Sequence, residues 1–153
     1  MSNVRSIGPA ETAKLIRSTL KDTFPGSVFS VTTKTYSGGS SIRVRWTDGP
    51  ATTDVERTVG SFHGASFDGM IDLKSHHDTA YNGEMVHFCA DYVFCTRSYS
   101  QEFAQTVVDE VADRRGAPWI TVTERGNWDT NDSDLNHAIY HAITSRDARL
   151  MVA

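Results

Sequence analysis

A chain of 153 residues, 39% hydrophobic and 22% charged, holds one hydrophobic core and is no disordered tail. No apolar run approaches the roughly 18 residues of a spanning helix, which excludes a membrane role, and no signal-peptide core opens the chain, so cytoplasm is the expected compartment. The formal net charge of −4 argues against a generic nucleic-acid binder but leaves room for a local basic face.

Gly8-Pro9 opens the first predicted element, because proline at the first helical position loses no hydrogen bond. Ala13, Ile16, Leu20 and Phe24 recur at helical spacing, predicting a helix over 9–23 that Pro25-Gly26 stops. Residues 28–36 and 41–47 then alternate around Gly38-Gly39, a hairpin pattern. A Gly38-Gly39 turn would set Val31 opposite Trp46, Thr33 opposite Val44 and Thr35 opposite Ile42. Those residues form the apolar face. Lys34, Tyr36, Arg43 and Arg45 stand on the other face, with Ser30, Thr32, Ser41 and Thr47.

Thr53 and Glu56 have capping-box spacing for a helix to about residue 61, with Val55, Val59 and Phe62 on its buried side. Residues 63–83 read as a glycine-containing loop. Strand formers predict strands at 84–88 and 91–97, with Cys89-Ala90 as the bend between them. Ser98 and Gln101 predict a capped helix that ends at Gly116. Trp119 to Val122 is a short strand candidate. The last predicted helix covers 133–149, with Leu135, Ala138, Ile139, Ala142 and Ile143 as its stripe.

The expected fold is therefore α+β and two-layered. A mostly antiparallel sheet of about four strands carries helices on one face, in the order α-β-β-α-β-β-α, followed by a C-terminal helix. Residues 9–116 form the core domain, and 117–153 form an extension. Charge is uneven, with 8 basic and 5 acidic residues in 1–60 against 7 and 14 in 61–153.

Several constellations carry candidate chemistry. Lys34, Tyr36, Arg43 and Arg45 together suit phosphate tracking and base stacking, although a basic solvated sheet face has the same pattern. Asp68, Asp72, His63, His76 and Asp78 crowd the 63–78 loop, where a histidine–carboxylate pair would run acid–base chemistry. No phosphate loop, nucleophile elbow or dinucleotide fingerprint accompanies them, and no catalytic residue is assigned. His76, His77, His87, Cys89 and Cys95 supply nitrogen and sulfur, but their spacing specifies no closed zinc site, so neither metal nor cofactor is expected. Cys89 and Cys95 read as reduced, buried thiols. Asp134, His137 and His141 share one side of the last helix as a solvated stripe. Trp46, Phe94 and Phe103 read as core aromatics.

Three blocks are together distinctive. They are Phe24-Pro25-Gly26 with the hairpin from Phe29 to Pro50, then Phe67-Asp68-Gly69-Met70-Ile71-Asp72, then Ala90-Asp91-Tyr92-Val93-Phe94 with Arg97. In this order, over roughly residues 9–100, the chain resembles the large polyvalent protein-associated domains, number 29 among them. The resemblance implies a phage or conjugative-element setting, host cytoplasm, and action on host defence or nucleic acid. It implies no catalytic residue.

The reading is a non-enzymatic accessory or interaction protein with a protein partner. The alternative is a nucleic-acid-binding or nucleic-acid-modifying domain that uses the basic hairpin face or the 63–78 loop. The stripe of Leu135, Ile139 and Ile143 needs a cover, and a homodimer through the C-terminal helix would provide one.

Overall fold

Proline at position 9 opens the first helix where its missing N–H is not needed. In the computed structural model, which describes residues 4–62, 65–68, 73–76, 79–81 and 83–150, helix α1 spans Pro9–Thr23. Its stripe of Ala13, Ile16 and Leu20 is buried. A short strand, β1 (Arg5–Ile7), precedes it. The chain continues as β2 (Ser30–Tyr36), β3 (Gly39–Thr47) and α2 (Thr52–Val59). Strands β4 (Ala65–Asp68), β5 (Leu73–His76), β6 (Thr79–Tyr81), β7 (Glu84–Phe88) and β8 (Tyr92–Ser98) follow. Helices α3 (Gln101–Arg114) and α4 (Ser133–Ser145) complete the order.

The single four-stranded antiparallel sheet and its α-β-β-α-β-β-α order are overturned. Two three-stranded sheets form instead, β1-β7-β6 and β2-β3-β8, beside a two-stranded β4-β5 ribbon. Both larger sheets mix directions. β1 runs parallel to β7 while β6 runs antiparallel to it. β2 is antiparallel to β3, and β8 runs parallel to β3, with Asp91 N–H donating to Ser40 O and Asp48 N–H to Ser98 O.

The cause lies at the bend. Cys89 N–H donates to Ile7 O at 2.8 Å, which ends the β1-β7 pairing. Two residues later, Asp91 is tied to Ser40 through both its backbone and its carboxylate. The chain therefore leaves one sheet and enters the other within three residues, and β7 and β8 never pair as a hairpin.

The β2-β3 hairpin departs from the expected register, and its expected faces hold at Val31, Ile42, Val44 and Trp46 but not at Thr33 and Thr35, which are exposed, or at Ser41, which is buried. Val31 lies opposite Val44 and Thr33 opposite Ile42, because the turn is Ser37-Gly38, with Gly38 at φ 91°. A shift of two residues preserves the side on which each residue stands, since side chains alternate with period two. Val31, Ile42, Val44 and Trp46 are buried, and Arg43 and Arg45 are exposed.

Contacts divide the chain into two units, Met1–Arg45 with Val55–Thr96 and Trp46–Asp54 with Arg97–Ala153. In the first, α1 packs on β2, and Phe62, Tyr81 and Phe88 form an aromatic cluster with centroids 5.4 to 5.9 Å apart.

In the second, Phe103, Val107, Val108 and Val111 of α3 form one core with Leu135, Ile139 and Ile143 of α4. The cover for the C-terminal stripe thus comes from α3 of the same chain, so the stripe has no unmet apolar surface to drive dimerisation. Ser100, not Ser98, caps α3 by accepting from Phe103 N–H. Asp132 caps α4 by accepting from Asp134 and Leu135.

The strand predicted at 119–122 does not form beyond a single bridge between Val122 and Trp128. Side chains of α3 pair that backbone instead. Gln105 donates to Ile120 O and accepts from Val122 N–H, and Gln101 donates to Val122 O.

Candidate nucleic-acid interface

Strand alternation places the candidate residues. With Ile42 and Val44 turned into the first unit, their neighbours Arg43 and Arg45 must face solvent, about 7 Å apart along β3. The register sets Arg43 opposite Thr32, Arg45 opposite Ser30, and Lys34 opposite Ser41. Lys34 is therefore a diagonal neighbour of Arg43, within about 8 Å. None of the residues alternating with them on this face of β2 and β3 is acidic. All three cations are exposed. Like charges this close repel, a small unfavourable interaction that a bound anion would relieve.

Aromatic surface accompanies the charge. Tyr36 is 40% exposed and Phe94, on the adjacent strand β8, is 49% exposed. Phe94 is not the core aromatic its composition suggests. It stacks on Tyr92, with centroids 5.9 Å apart and planes at 27°. The phase of β8 carried the signal, since exposure alternates at Phe94, Thr96 and Ser98.

Of the 63–78 candidates, only Asp68 and His76 lie among the described residues. Asp68 lies opposite Leu73 and His76 opposite Ala65, at the two ends of the β4-β5 ladder. His63, Asp72, His77 and Asp78 lie outside the described residues. Among the described residues no group of three or more His, Cys, Asp or Glu is placed to hold a metal ion. Cys89 and Cys95 are unbridged and half-buried. Burial, with Glu56 adding to it, pushes the Cys95 thiol up to about 11, the direction that suppresses the thiolate needed by a nucleophile or metal ligand. No described helix is long and apolar enough to cross a membrane.

The family model for large polyvalent protein associated domain 29 matches residues 7–100. The chain belongs to this family. The domain is associated with phages and mobile elements. The match covers the candidate face and stops at the cap of α3, so α3 and α4 lie outside the matched residues. No curated protein and no solved structure matches the chain.

Proposed function

We propose that this large polyvalent protein associated domain 29 protein is a non-enzymatic accessory protein that binds single-stranded nucleic acid. The single observation that carries the reading is the β2-β3-β8 sheet, in which Lys34, Arg43 and Arg45 are exposed on β2 and β3, Tyr36 is exposed on β2 and Phe94 is exposed on the adjacent strand β8. Cations that follow a backbone and aromatics that stack bases are the two parts of a sequence-tolerant single-strand platform. A modifying enzyme is less well supported, because Asp68 and His76 are held at opposite ends of their ribbon.

Fluorescence anisotropy with short labelled DNA and RNA single strands tests it. Three phosphate contacts predict a slope of about −2 for log affinity against log salt. Arg43→Ala with Arg45→Ala should reduce the magnitude of that slope to below about 1. Phe94→Ala should weaken binding by roughly 5- to 100-fold, the worth of one stacked base. Absence of binding at low salt, or equal binding by these variants, overturns the proposal.

A further inference from the structure

Helices α3 and α4 leave an open cleft of about 1050 Å³ in the second unit. Its floor is apolar, from Val111, Ala138 and Ala142, and its rim is ionic. His137 and His141 are one turn apart on α4 and both exposed, so they share one side of the helix. Arg115 reaches the cleft from the end of α3 and has no ion-pair partner among the described residues. Arg114 and Arg146 share one carboxylate, Glu110, which leaves one of their two positive charges uncompensated. Two acids also line the cleft, Asp54 and Asp147. The Asp147 carboxylate is bound by the guanidinium of Arg149, which hydrogen-bonds it at 2.6 and 3.0 Å.

Among the residues lining the cleft, Arg114, Arg115 and Arg146 stand against Asp54 and Asp147, a positive balance. We propose that this cleft binds a phosphate-bearing ligand, either a nucleotide or the phosphorylated end of a nucleic acid. Guanidinium groups pair phosphate oxygens in a planar fork. The imidazole N–H groups add hydrogen-bond donors, and the apolar floor offers a seat for a ring. The site lies in a different unit from the proposed single-strand face, so each stands or falls alone.

The test is a nuclear magnetic resonance titration of the full chain with inorganic pyrophosphate. Adenosine, its mono- and triphosphate, and an oligonucleotide with and without a 5′-phosphate follow as separate arms. The His137 and His141 ring signals should shift with pyrophosphate and the phosphorylated arms, and not with adenosine. Arg115→Ala should weaken binding by about 10-fold, the worth of one charge-assisted contact. His137→Gln with His141→Gln should weaken binding by roughly 5-fold, the worth of a lost hydrogen bond. Both sites are exposed, so neither variant threatens the fold. A larger response to the mononucleotides identifies a free nucleotide as the source, and a larger response to the 5′-phosphorylated strand identifies a nucleic-acid end. No response to millimolar pyrophosphate, or equal binding by the Arg115→Ala chain, overturns the site.

Discussion

The guanidinium of Arg97 donates to the carbonyl oxygen of Arg146 at 2.7 Å, joining the end of β8 to the residue that follows α4. The same side chain reaches Ile143 O and Thr144 O in the last turn of α4, and Asp48 O and Gly49 O in the turn after β3. Its underside lies on the rings of Tyr99 and Phe103, 5.1 and 5.3 Å from their centroids. A helix end leaves carbonyls without intrahelical partners, and one arginine meets them here. Arg97→Ala should therefore cost about 3 kcal/mol of stability, because several acceptors lose their donor together. Arg97→Lys should recover only part of it, since an ammonium lacks the planar fork. Urea unfolding of the three chains measures this, and an Arg97→Ala chain as stable as wild type removes Arg97 from this role.

Trp46 and Arg45 are chain neighbours with opposite fates. Trp46 is 4% exposed and its indole donates to Pro50 O at 3.0 Å, while Arg45 faces solvent. Trp46→Ala should destabilise by roughly 3–5 kcal/mol. Arg45→Ala should change stability by no more than about 0.5 kcal/mol. Similar losses at the two positions would contradict the assigned faces.

Gly126 sits at φ 75°, and a Cβ there would run into the carbonyl of Tyr99. Left-handed backbone and a backbone clash combine, so Gly126→Ala should cost about 2–4 kcal/mol. Thermal unfolding reads the loss directly. A neutral substitution would mean that the 123–127 turn takes another conformation.

Acid should loosen the α3–α4 pair. Glu110 accepts hydrogen bonds from Arg146 and Arg114, and the bond from Arg146, with the charge of both guanidinium groups, holds its carboxyl below the ordinary 4.5. A depressed carboxyl contributes stability that is present above the unfolded value and lost as pH falls through the folded one. Stability of the wild type should therefore decline below about pH 4.5, and Glu110→Gln should flatten that decline. An identical acid profile for both chains would rule the contact out as the cause.

Cys95 should resist alkylation. With its thiol pushed up to about 11, it should react roughly 100-fold more slowly with iodoacetamide at pH 8 in the native chain than in the urea-unfolded one. The native state holds this proton longer than the unfolded state, so the associated stability is present below 9.0 and falls as pH rises toward 11. Site-resolved mass spectrometry separates Cys95 from Cys89, and equal native and unfolded rates would refute the shift.

Local periodicity by itself determined a good deal. The bounds of α1 follow from Pro9, the three-and-four stripe and Pro25-Gly26. The two faces of β3, with Ile42, Val44 and Trp46 inside and Arg43 and Arg45 outside, follow from alternation, because a period of two survives a register error of two residues, whereas β2 is exposed along its length except at Val31. What the tertiary structure decided is partner choice. β1 is three residues long and pairs with a strand some eighty positions away, Arg5 beside Val86, which no local pattern announces. The bend at Cys89 was legible, but that it moves the chain from β7 beside β1 to β8 beside β3 depends on Ile7 and Ser40 being there to receive it. Phe94 is outside and the stripe of α4 inside for the same reason. An apolar residue states that it prefers cover, while only the packed neighbours, α3 for Leu135, Ile139 and Ile143, determine whether cover exists.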